Sequence, residues 1–129
     1  MVRQRRRYPI REYRSGLEDK IRSQLEEQQI EFDYEKLKLK YTIPEKEHTY
    51  TPDFQIKKNK LIIECKGLFS ADDRRKMLLV TRQHPELDIR MLFQRDNYLR
   101  KNSKTKYSDW CTKNNIKFAI GLIPAEWIL

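Results

Sequence analysis

The stretch from Tyr50 to Lys66 constrains the fold more than any other part of this chain. Tyr50 to Ile56 reads as one strand, Lys57-Lys58-Asn59-Lys60 as a hairpin turn, and Leu61-Ile62-Ile63-Glu64-Cys65-Lys66 as a second strand that stops at Gly67. Strands joined this tightly pair antiparallel, which sets Asp53 alongside Glu64. Side chains alternate across a strand, so Glu64 and Lys66 share one face while Leu61, Ile63 and Cys65 point to the other. Two carboxylates and an ammonium therefore converge at strand ends, over an apolar face that can join a core.

The flanking sequence supplies helices and further strands. Ser15-Gly16-Leu17-Glu18 is a capping-box pattern, and Leu17, Ile21 and Leu25 recur at helical spacing, which predicts a helix over residues 15–28. Ile30, Phe32 and Tyr34 alternate as a strand does. Alternation resumes at Leu37, Leu39, Tyr41 and Ile43 with its parity flipped, so a bulge or turn is expected near Glu35-Lys36. Pro44 to His48 reads as loop. Ser70 and Asp73 open a second helix that ends at His84-Pro85, and Leu87 to Phe93 is an apolar strand. Ser108 to Asn115 reads as a short helix, Ile116 to Ile120 as a strand, and Pro124 to Trp127 as a terminal helical turn. The order predicts an α/β domain in which helices cover a mixed sheet.

Charge narrows the partners. The 129 residues hold 28 Lys and Arg against 19 Asp and Glu, a formal net charge of +9. Residues 1–14 form an arm with Arg3, Arg5, Arg6, Arg7, Arg11 and Arg14 against the single acid Glu12, expected to lack order without a ligand. A second basic cluster, Arg95, Arg100, Lys101, Lys104 and Lys106, surrounds Tyr98 and Tyr107. These groups and Ser15 are the candidate phosphate contacts, and a polyanion such as DNA is the expected partner. The segment from Ser15 to Glu35 is acidic and is no DNA-binding face. No run approaches the roughly 18 apolar residues of a membrane span, and the arm lacks the apolar face of a membrane-surface helix. Cys65 and Cys111 form neither a metal pair nor a disulfide framework, so a reducing, cytoplasmic location is expected, with both as buried small hydrophobes.

Hard oxygen ligands from Asp53 and Glu64 suit Mg²⁺, which keeps several waters and binds phosphate oxygens. Lys66 can hold or deprotonate an attacking water and offset charge building on a phosphorane. The carbonyl of Cys65 would face the same ion, leaving its thiol in the core. A structural alternative stands beside this reading: Glu64 and Lys66 as an ion pair on an exposed sheet. Glu18 has two candidate roles as well, either the capping partner of Ser15 or a third carboxylate presented to the site. His48 is a lone loop histidine, and Trp110 and Trp127 read as core.

Five blocks carry a resemblance to a family. Arg14 to Lys20, His48 to Phe54, Glu64 to Leu68, Gln83 to Arg90 and Ile123 to Ile128 closely resemble bacteriophage endonuclease I, a family of Holliday-junction resolvases in the PD-(D/E)xK superfamily. The resemblance runs from about Arg14 to Ile128. It implies a restriction-endonuclease-like mixed β-sheet flanked by helices, in an intertwined, domain-swapped homodimer whose active sites are shared between chains. It also implies paired cuts in branched double-stranded DNA that leave 5′-phosphates, with Mg²⁺ or Mn²⁺ and two ions per site. The family's catalytic positions fall on Glu18, Asp53, Glu64 and Lys66, which assigns Glu18 to the site. Residues 15–129 would then be one endonuclease domain, acting in the host cytoplasm. Two departures stand out: a family glutamate falls at Asp33, with Glu35 nearby, and the chain reaches Leu129 without a basic tail, a role the arginine arm is expected to fill. The rival functions are a sequence-specific or mismatch-nicking nuclease of the same superfamily and a non-catalytic DNA-binding module.

Overall fold

The computed structural model describes residues 16–43 and 46–129, with the backbone alone at Lys46. The arginine arm, Ser15 with its half of the predicted capping box, and Pro44-Glu45 lie outside the described residues. Eleven elements follow in order: α1 (Gly16–Glu27), β1 (Phe32–Tyr34), β2 (Leu39–Ile43), β3 (Lys46–Tyr50), β4 (Phe54–Ile56), β5 (Ile62–Lys66), α2 (Ala71–Gln83), β6 (Ile89–Phe93), α3 (Tyr107–Lys113), β7 (Phe118–Ile120) and α4 (Ala125–Ile128).

Five strands form one mixed sheet in the order β1-β4-β5-β6-β7. The predicted hairpin is its antiparallel heart, with Phe54 opposite Ile63 and Gln55 opposite Ile62. Lys60 takes a positive φ of 64° in the turn, whose ends close by an Ile56 N–H bond to the Leu61 carbonyl at 2.8 Å. From β5 the chain crosses over through α2 and returns parallel as β6, and β7 adds a further parallel strand. Such a crossover needs a covering helix, and α2 begins with the predicted capping box: the Asp73 N–H donates to the Ser70 hydroxyl, and the Ser70 N–H to the Asp73 carboxylate.

The alternation along β5 divides the core in two. Ile63 and Cys65 join Leu17, Ile21, Leu25, Phe54, Leu92 and Trp127 on the face covered by α1 and α4. Ile62 joins Tyr41, Tyr50, Phe69, Met77, Val80, Met91 and Phe93 on the face covered by α2, α3 and the second sheet. Cys65 and Cys111 are both buried free thiols, and Trp127 is buried, as the sequence suggests. Phe54 sits at 0% exposure with the rings of Phe32 and Tyr34 each 5.3 Å away. Phe54→Ala removes a ring from this site and is expected to cost about 3–5 kcal/mol, read as a shift in the urea unfolding midpoint.

Two expectations are corrected here. Residues 44–48 are not simply loop, since Lys46–Tyr50 is a strand that pairs antiparallel with β2 as a two-stranded sheet, Leu39 opposite Tyr50. Nor is Tyr50 to Ile56 one strand. The chain leaves the small sheet after Tyr50 and enters the large one at Phe54, and the break falls at Thr51-Pro52-Asp53, where proline has no N–H for a ladder. The parity flip also resolves: Glu35 turns the chain with a φ of 52°, and β1 and β2 on either side of it belong to different sheets. The remaining elements match their predicted positions to within a few residues.

Candidate active site

The break between β3 and β4 frees Asp53 from the strand ladder. Released from the ladder, its carboxylate folds back onto β5, where Oδ2 accepts the Cys65 N–H at 2.9 Å. Its own N–H donates to Glu64 Oε1 at 3.3 Å, and its carbonyl accepts the Glu35 N–H at 3.0 Å. Asp53 thus joins β5 to the turn after β1.

Glu64 lies on β5 with its carboxylate on the α2 face, and it is 7% exposed. Its Oε1 also accepts the Tyr50 hydroxyl at 2.7 Å, while Oε2 lies 3.7 Å from Lys66 Nζ. Lys66, two residues on and on the same face, is 3.4 Å from Asp73 Oδ1 in the first turn of α2. The ammonium therefore sits between two carboxylates. Burial alone would lower its pKa, but Glu64 and Asp73 outweigh that and hold it above the ordinary lysine value. Asp73 is held low despite its burial, through the Ser70 N–H and Lys66. It serves at once as helix cap and lysine partner.

Glu18 enters from the first turn of α1. It is 5% exposed, and its Oε1 accepts the Tyr34 hydroxyl at 2.7 Å. One carboxylate oxygen each from Glu18, Glu35 and Asp53 lie within 4.8 Å of one another. Glu18 meets Asp53 here within one chain.

Carboxylates this close and this buried resist ionising together. Burial first, and then the charges of Glu64 and Glu18, raise the Asp53 carboxyl to about 8. Burial likewise raises Glu64. The pocket is a cluster of hard oxygen donors with more negative charge than Lys66 offsets. That donor set fits a small divalent cation, which would relieve the repulsion, and it fits neither soft-metal nor heme ligation.

The sequence-predicted residues Glu18, Asp53, Glu64 and Lys66 are therefore brought to one place. Glu64 and Lys66 do lie at ion-pair distance, as the structural alternative expects, but Glu64 is buried and not on an exposed sheet. At Cys65 the backbone N–H engages Asp53, and the thiol packs into the core as expected. Arg95, Arg100, Lys101 and Lys104 are exposed, and Lys106 is partly so, all on the loop between β6 and α3. That loop starts beside the site, since the Gln94 N–H donates to the Lys66 carbonyl at 3.1 Å. Lys106 Nζ lies 5.4 Å from the centre of the half-exposed Tyr98 ring. Arg3, Arg5, Arg6, Arg7, Arg11, Arg14 and Ser15 lie outside the described residues. His48 stacks on Tyr41, 5.5 Å between ring centres, and is no part of the carboxylate cluster.

Sequence reasoning missed Tyr34 and Tyr50, which read as ordinary strand aromatics, and read Asp73 as a cap alone. No spacing announces the phenols, because their hydroxyls reach the site only through the tertiary fold.

Comparison with known proteins points one way. The family model for phage endonuclease I matches residues 1–129. Endonuclease I of Escherichia phage T7 is 54% identical over 117 residues, covering 90% of this chain and 78% of that protein. Endodeoxyribonuclease 1 of Enterobacteria phage T3 is 53% identical over 119 residues, covering 92% and 78%.

Proposed function

The chain belongs to the phage endonuclease I family, and from that premise we propose that it is a metal-dependent, structure-selective endodeoxyribonuclease. Its substrate is four-way and other branched DNA, which it resolves by paired phosphodiester hydrolysis leaving 5′-phosphates. The observation that carries this reading is the convergence of Glu18, Asp53, Glu64 and Lys66 on one buried, acidic pocket. The crossover sheet with this pocket at its strand ends also supports a PD-(D/E)xK fold.

Asp53 and Glu64 would hold Mg²⁺ or Mn²⁺, Glu18 would add a third carboxylate, and the Cys65 carbonyl a backbone oxygen, with two ions as the proposed complement. The cation supplies a Lewis acid for the phosphate and a water acidified toward neutral pH. Lys66, kept as an ammonium by Glu64 and Asp73, orients the attacking water and offsets negative charge on the phosphorane. Cys65 keeps Asp53 aimed by its N–H.

A homodimer matches a junction of roughly two-fold symmetry, since two related sites can cut two strands. Exchange of α1 between copies would keep the Glu18 and Asp53 contact while drawing the two residues from different chains. Residues 15–129 form the nuclease domain in this reading, the arginine arm and the Arg95–Lys106 loop hold phosphates, and DNA shape selects the branch. Removing Arg100 and Lys101 together is expected to lower the slope of log affinity against log salt by about two, measured by fluorescence anisotropy on a labelled junction.

The reading is tested by incubating an end-labelled four-way junction and a linear duplex of the same arm sequence with the protein and Mg²⁺. Paired, symmetric cuts in the junction support it. An uncut junction points to a binding module, and equal cutting of the duplex at a fixed sequence points to a sequence-specific nuclease.

A further inference from the structure

Glu64 is 7% exposed, so a carboxylate there needs groups that fix its direction as well as stabilise it. Three groups lie within reach. Lys66 approaches Oε2 at 3.7 Å, too long for a good hydrogen bond. The Asp53 N–H reaches Oε1 at 3.3 Å, near the long limit for one. The Tyr50 hydroxyl reaches the same Oε1 at 2.7 Å and is the short bond of the set.

Tyr50 is an unusual donor for this site. It does not belong to the main sheet but ends β3, in the two-stranded sheet. That sheet is fastened at its other strand, where Gln83 at the end of α2 brackets Thr42, accepting its N–H at 2.6 Å and donating to its carbonyl at 2.7 Å. The Tyr50 ring is 1% exposed, with Lys76 Nζ 5.5 Å from its centre. A phenylalanine would fill the same space, so what the hydroxyl adds is its bond to Glu64.

We propose that Tyr50 is a positioning residue of the active site: its phenol ties Glu64 Oε1 and so presents Oε2 to the divalent cation. The inference rests on the metal reading given above. It makes the small sheet part of the active-site framework, because β3 delivers the bond that sets the angle of Glu64. Groups that orient a metal ligand from behind are worth about 10–100-fold in metal affinity.

The test uses the full chain without DNA, titrated with Mn²⁺ and followed by the electron paramagnetic resonance signal of free Mn²⁺. Tyr50→Phe deletes one oxygen and keeps the ring. It is expected to weaken Mn²⁺ binding by about tenfold or more, to lower kcat at fixed Mg²⁺, and to leave KM for the junction within about twofold. The same substitution in a Glu64→Gln background is expected to change Mn²⁺ affinity no further, because Tyr50 acts through the carboxylate. Mn²⁺ affinity of Tyr50→Phe within about twofold of the native chain overturns the proposal alone, whatever happens to its melting temperature. A full loss that persists in the Glu64→Gln background also overturns it. A native chain that takes up no Mn²⁺ overturns the metal reading, and this proposal with it.

Discussion

Asp53→Asn is expected to cut junction cleavage by about a thousandfold or more and, in the absence of metal, to make the protein more stable than the native chain at pH 8. The two halves of this result share one cause. Asp53 is 5% exposed and close to Glu64 and Glu18, and burial followed by those two charges lifts its carboxyl from 3.8 to about 8. A carboxyl whose folded pKa is raised favours the protonated form in the folded state. Its contribution to stability is therefore complete below pH 3.8 and is lost as the pH rises through about 8. Asparagine mimics the protonated form and still accepts the Cys65 N–H, so the stability gap between variant and native chain opens across that window. Thermal melts in EDTA from pH 4 to 9 read it directly. Mg²⁺ should narrow the gap at pH 8 by stabilising the native chain alone.

Lys66→Met is expected to lower kcat by about 10²–10⁴-fold with junction affinity in Ca²⁺ changed by less than about threefold. Methionine approximates the length and volume of the lysine stem, so the substitution tests the ammonium itself. That ammonium lies 3.7 Å from Glu64 and 3.4 Å from Asp73, with its side chain 27% exposed. It is held at its tip by two carboxylates and remains partly open to solvent. In the proposed function the phosphate contacts fall to the exposed Arg95–Lys106 loop, so binding and turnover are expected to separate. Single-turnover kinetics at saturating enzyme, alongside anisotropy titrations, distinguish the two effects.

Much of this site was legible in the sequence because strand alternation is a strict rule. Once Leu61 to Lys66 is a strand, Glu64 and Lys66 must share a face and Ile63 and Cys65 the other, and the core divides along that line. The capping box at Ser70 and Asp73 was legible for a similar reason, since the two residues satisfy each other locally. What stayed hidden depends on distant partners. Lys46 to Tyr50 has little apolar alternation of its own, and it is a strand because β2 pairs with it. The Thr51-Pro52-Asp53 break reads as continuous strand by composition, although a proline with no donor is a reason to end the ladder there. Glu35 reaches the pocket through a residue with positive φ, a bend that parity located without showing where its side chain leads. Tyr34 and Tyr50 look like core aromatics; the Tyr34 hydroxyl finds Glu18 only once α1 packs on the main sheet, and the Tyr50 hydroxyl finds Glu64 only once the two sheets have come together.

The resemblance stated from five sequence blocks and the family match over residues 1–129 agree. Glu18, Glu35 and Asp53 crowd their oxygens within 4.8 Å, an arrangement that a divalent cation would relieve.

A crystal of the protein soaked in Mn²⁺ and measured at the manganese absorption edge would show whether Asp53 and Glu64 share an ion. An anomalous peak is expected at about 2.1–2.3 Å from carboxylate oxygens of both Asp53 and Glu64, with Glu18, from the same chain or an exchanged copy, at the edge of the same site. Mn²⁺ bound elsewhere, or a pocket in which Asp53 and Glu64 share no ion at saturating Mn²⁺, would contradict the metal reading.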